Sequence, residues 1–77
     1  MEDKHIIHHI SSLIEEEEHM YAKDVLSDEE ISRLHLIQTE LDQYWDLLRQ
    51  RRSKRDAGDD PSDAKLRPAG VVERYLQ

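Results

Sequence analysis

With 77 residues, 18 acids against 11 lysines and arginines, and a formal net charge of −7, the chain can form one small domain at most. A domain of this size buries only about 60% of its unfolded surface. The absence of cysteine excludes a disulfide staple and a thiolate zinc site, and small folds without staples often gain stability by oligomerising.

No run approaches the roughly 20 apolar residues of a membrane span, and the acidic opening Met1-Glu2-Asp3-Lys4 does not suit a signal peptide. These features predict a soluble, cytoplasmic protein without membrane association. Charged residues make up 38% of the chain and hydrophobic residues 36%, a mixture compatible with disorder if scattered. The apolar residues are instead regularly spaced.

The first periodic segment predicts a helix over about 3–23. Ile6, Ile7, Ile10, Leu13, Ile14, Met20 and Tyr21 recur at offsets of three and four and form one stripe. Glu17 falls where the stripe should continue. Glu2 and Asp3 suit the positive end of the helix dipole.

The pattern breaks around Asp24-Val25-Leu26-Ser27. Ser27-Asp28-Glu29-Glu30 then has the spacing of a capping box, in which the serine hydroxyl and the Glu30 carboxylate each accept from the other's backbone amide. Leu26 and Ile31 are placed for a hydrophobic staple.

A second helix is predicted over about 28–57. Ile31, Leu34, Leu41, Tyr44, Trp45 and Leu48 share a face, with Ile37 at its margin. Leu34, Leu41 and Leu48 repeat every seven residues, as in a coiled-coil seam. Gly58 suits the position just past a helix C-terminus, and Pro61 prevents resumption.

So short a connection makes the helices antiparallel neighbours. Pairing outward from Val25 sets Glu17 near Leu34 and Ile6 near Tyr44 and Trp45. Helix one then ends opposite Arg49, so the cations beyond should overhang the hairpin. Residues 1–58 are read as the hairpin and 59–77 as a polar linker with a short docking segment. In that segment Val71, Val72, Tyr75 and Leu76 are spaced for one helical face. Such a turn must dock to be ordered.

The stretches "LDQYWDLLRQRRSKRDAGDDP" (Leu41 to Pro61) and "RPAGVVERYLQ" (Arg67 to Gln77) resemble a family of short actinobacterial proteins classed as a domain of unknown function. Its members share an "EEH" element, here Glu17-Glu18-His19, then a "LDxxWDLLRQRRA" helix, "DP" and a terminal "VExYLQ". Tyr44 stands where the family carries a smaller residue, often cysteine, and Ser53 where it carries alanine. The resemblance supports the helical plan and implies no activity, substrate or cofactor.

Candidate chemistry is sparse. His5, His8 and His9 have the helical spacing of a divalent-ion pair, but they lie at the start of the helix, where solvent-facing histidines are ordinary. Glu16 and His19 have the Glu-x-x-His spacing of di-iron bundles. Such a site needs a second motif, which a homodimer could supply with Glu40 or Asp42, but Glu16 and His19 face away from the Ile7–Ile14–Tyr21 line. No nucleophile–base arrangement is evident, and neither glycine lies in a phosphate-cradling pattern. The chain is therefore read as non-enzymatic and without a cofactor.

The segment Arg49-Gln50-Arg51-Arg52-Ser53-Lys54-Arg55 carries five cations in seven residues. Nucleic acid is one candidate partner, since phosphates bind clustered cations. Against it, residues 1–30 hold ten acids and two bases, a field that repels nucleic acid at long range. Arg49, Arg51, Arg52, Lys54 and Arg55 are read instead as a docking or anion-binding surface.

The reading that follows is an all-α hairpin that self-associates, a dimer being favoured, into a four-helix bundle with Ile6, Ile10, Leu13, Leu41, Tyr44, Trp45 and Leu48 as its core. A nucleic-acid-associated regulator and a metal-binding bundle are the alternatives.

Overall fold

The computed structural model describes Glu2–Leu76, with side chains described as far as Val72. Helix α1 spans Asp3–Tyr21, α2 spans Asp28–Asp56, and α3 spans Ala69–Leu76, with a single 3-10 turn at Pro61–Asp63 between α2 and α3. The first two helices pack as an antiparallel hairpin, and α3 lies against α2. The molecule measures 48 × 25 × 15 Å.

Local sequence explains where the long helix begins and ends. The Ser27 hydroxyl accepts from the Glu30 amide and the Glu30 carboxylate accepts from the Ser27 amide, both at 3.1 Å, which completes the capping box. Lys23 donates to the same carboxylate. The Lys23 ammonium first, and then the Ser27 amide, hold Glu30 below the usual carboxylate range.

At the other end Gly58 takes φ 80°, a conformation that costs glycine little. The Asp59 amide donates to the Lys54 carbonyl at 2.7 Å and the Gly58 amide to the Arg55 carbonyl at 3.1 Å. This is the Schellman arrangement, and it turns the chain back along α2. The Asp60 carboxylate then caps the 3-10 turn by accepting from the Ser62 amide at 3.0 Å.

Ile6, Ile10 and Leu47 form the centre of the core, with Ile14, Leu41, Tyr44, Leu48 and Ala64 packed against it. Leu13, Leu34, Ile37 and Val72 are also buried. One expectation is corrected: Ile37, expected at the margin, is 0% exposed. Trp45, expected in the core of the assembled bundle, is 47% exposed in the single chain. The stripe on α2 is wider than α1 can cover. Helix α1 sits over Ile37, Leu41, Tyr44 and Leu48, and Trp45 lies about 80° around the helix from Ile37 at 100° per residue. It therefore falls on a flank that the described residues leave open.

The chain after Gly58 returns along the opposite flank. Ala64 packs against the core, and α3 buries Val72 completely. Burying a side chain of that size contributes about 1.5–3 kcal/mol. This helps an eight-residue helix, too short to hold by itself, to stay on α2. The expected cover by Tyr75 and Leu76 lies outside the described side chains.

Candidate functional site

The basic end of α2 does not overhang the hairpin. The Asp3 carboxylate, in the first turn of α1, accepts from Arg51 Nε and from Arg55 Nη2. Arg51 also donates to the Pro61 carbonyl at 3.2 Å and is 8% exposed. The backbone pairing that places helix one opposite Arg49 omits the reach of the arginines. Side chains on a helix lean toward its N-terminus, so Arg51 and Arg55 lean back about a turn to meet Asp3. The Arg51 guanidinium, and after it that of Arg55, hold the Asp3 carboxyl below the usual range.

The remaining cations divide differently. Lys54 is half-buried, and Arg49 is exposed with only a 3.9 Å approach to Asp46. Arg52 is exposed, with no hydrogen bond or ion pair among the described residues.

The hairpin has two unlike flanks. One carries polar bridges. Glu16 accepts from Arg33 in a two-point pair, with the Nη2–Oε1 contact at 3.1 Å, and this pairing lowers the Glu16 pKa. The His9 ring lies 4.4 Å from that of Tyr44, centroid to centroid, tilted by 52°. Its Nε2 is 3.8 Å from Glu40.

Farther along the same flank, Gln43, Asp46 and Gln50 hold the returning tail. Gln43 donates to the Arg67 carbonyl at 3.1 Å, and Gln50 donates to the Lys65 carbonyl at 2.8 Å and to Asp46 at 2.9 Å. Asp46, 5% exposed, also faces Arg67 Nε at 3.5 Å. Between tail and hairpin remains a hollow of about 300 Å³ lined by Ile6, Tyr44, Leu47, Arg51, Ala64 and Leu66, among others.

The other flank is apolar and open. Ile7, Ile14 and Tyr21 stand seven apart on α1, and Ile31, Gln38 and Trp45 seven apart on α2. Gln38 Nε2 donates to the Tyr21 hydroxyl at 3.0 Å, which sets the two lines on the same side. Ile7 is 52% exposed, Tyr21 61% and Ile31 41%. Leu34 and the half-buried Leu41 and Leu48 form the floor between these lines and the core.

The weak metal candidates are not brought together with other ligands. Glu16 is engaged by Arg33, and His19 lines a shallow hollow with Glu15, Glu18 and Ala22. His5, His8, His9 and Ser12 border another hollow beside Tyr44. Among the described residues, no three His, Asp or Glu side chains converge on a point where one cation could sit. None of the described helices is long and apolar enough to cross a membrane.

Sequence reasoning missed the tail grip and the Asp3 clamp. The grip had a readable trace, because Gln43, Asp46 and Gln50 follow one another at offsets of three and four and so share a face.

The family described as "Protein of unknown function (DUF2630)" matches residues 2–77. Uncharacterised proteins of Mycobacterium bovis (Mb0922c) and Mycobacterium tuberculosis (Rv0898c) are 44% identical over 77 residues, covering 95% of this chain and 88% of theirs. No solved structure matches. A family match over nearly the whole helical chain, together with mycobacterial relatives of similar length, leads to one conclusion: the chain belongs to the DUF2630 family of proteins of unknown function.

Proposed function

We propose that the chain is a non-enzymatic helical module that self-associates through the open flank of its hairpin. The observation that carries this reading is the apolar face of Ile7, Ile14, Tyr21, Ile31 and Trp45. Three of its large side chains, Ile7, Tyr21 and Trp45, lie about half or more in water. Contiguous exposed apolar surface of this kind marks interaction sites. Two further helices laid there would complete a four-helix bundle and cover both stripes. The arginine run fits docking better than a nucleic-acid grip, because Arg51 and Arg55 already share the Asp3 carboxylate.

The test is sedimentation of the purified chain at micromolar concentration beside Trp45→Glu. The wild type is expected to sediment as a dimer. Trp45→Glu should be a folded monomer, because the side chain is removed from an exposed flank and not from the core. A wild-type chain that is monomeric and cooperatively folded at those concentrations overturns the reading.

A further inference from the structure

We infer that the occupant of the open flank is a second copy laid end for end, so that the acidic turn of each hairpin meets Arg49 and Arg52 of its partner. The inference rests on the self-association proposed above and adds its orientation.

The turn end of the 48 Å molecule is acidic, whereas at the open end residues 2–4 and 49–63 hold six acids and six bases, so the contrast is carried by the side chains that border the apolar face. Residues 15–30, around the turn, hold eight acids against one lysine. Lys23 is already bound to Glu30, and Glu16 to Arg33. The acids left for a partner include Glu18, which is exposed, four residues after Ile14 and three before Tyr21. That spacing sets it on the border of the apolar face.

At the open end Asp3 engages Arg51 and Arg55, which leaves Arg49 and Arg52 outward. Arg49 is four residues after Trp45, and Arg52 four after Leu48. Both therefore border the same face at its other end. The apolar positions lie between these two charged borders.

Such a surface is its own complement under one operation. In a twofold dimer the same patch is used by both copies. An axis perpendicular to the hairpin brings Glu18 of one copy to the arginines of the other, twice. A parallel pairing sets arginine against arginine and the acidic turns against each other. Juxtaposed like charges cost enough to select between otherwise similar arrangements. The opposite signs of the two borders favour a second copy over a partner of uniform charge, which only one border would attract.

Orientation can be read by electron-spin distance measurement on the full chain, which contains no cysteine of its own. A spin label at Ser53→Cys, an exposed position, lies 15 residues from Gln38 at the middle of the face. End-for-end pairing therefore separates the two labels by about 45 Å at 1.5 Å rise per residue, whereas parallel pairing holds them within about 25 Å. Charge reversal gives a second readout. Arg52→Glu and Glu18→Arg should each raise the dimer Kd about tenfold, since every dimer contains the contact twice. The double variant should recover most of the loss.

A dimer with the short label distance, or a double variant as weak as the singles, overturns the orientation and leaves self-association standing. A wild-type monomer overturns both.

Discussion

Trp45 and Asp46 are neighbours in sequence and opposites in environment. The tryptophan is 47% exposed, on the flank that the described residues leave open, and the aspartate is 5% exposed, under the returning tail. Burial on this hairpin is decided by what lies over a position and only secondarily by its hydrophobicity. The flank with the more polar side chains is the closed one, because its amides and carboxylates bind a backbone that must be hydrogen-bonded wherever it is covered. The flank with the more apolar side chains is open, and it gains stability only when a second surface arrives.

The largest expected effect comes from stripping the closed flank. Removing residues 67–77 takes away the burial of Val72, the Asp46–Arg67 pair and the Gln43 hydrogen bond. Together these losses amount to about 5 kcal/mol, comparable with the whole stability of a small domain. The truncated chain should show no cooperative thermal transition. A melt within a few degrees of the wild type would show that the tail contributes little and would erase the difference between the flanks.

A paired substitution sharpens the contrast. Asp46→Ala removes a buried carboxylate that accepts from Gln50 and faces Arg67, and should cost about 1–3 kcal/mol in denaturant unfolding. Asp42→Ala, one turn earlier and without an ion pair among the described residues, should stay within about 0.5 kcal/mol. Equal losses at the two positions would deny that the grip is local to the tail.

The smallest effect is in pH. Asp3 has its pKa lowered by Arg51 and Arg55. A carboxyl depressed in the folded state contributes stability that is fully present above its unfolded pKa, near 4, and is lost as pH falls through the lower folded value. Asp3→Asn should therefore lower the melting temperature slightly at pH 7 and flatten the decline below pH 4. The acid limb should not vanish, because Glu16, Glu30 and Asp60 are depressed as well. An unchanged acid limb in Asp3→Asn would show that the clamp does not form in solution.

The two long helices, the Ser27 cap and the Gly58 turn were legible because each is written in residues a few positions apart. The side on which the helices meet was less so. The α2 stripe runs from Ile37 around to Trp45, and one facing helix cannot cover that arc. Which part stays wet depends on the register with α1 and on the side to which Gly58 returns the chain. Asp3 was legible as a helix-start acid, but its partners lie 48 and 52 residues away, beyond the range of local spacing. The arginine run looked like an external surface because charge density along the sequence gives no sign of an acid arriving from the other end of the hairpin.

The grip on the tail has a consequence for how freely that segment can vary. Gln43 and Gln50 donate to the backbone carbonyls of Arg67 and Lys65. A carbonyl is offered by every residue type, proline included. At these two points the tail is recognised as a path and not as a spelling. Position 65, an exposed residue held by its carbonyl, should therefore accept nearly any residue in a library selected for folding, while Gln43 and Gln50, which do the recognising, should accept few.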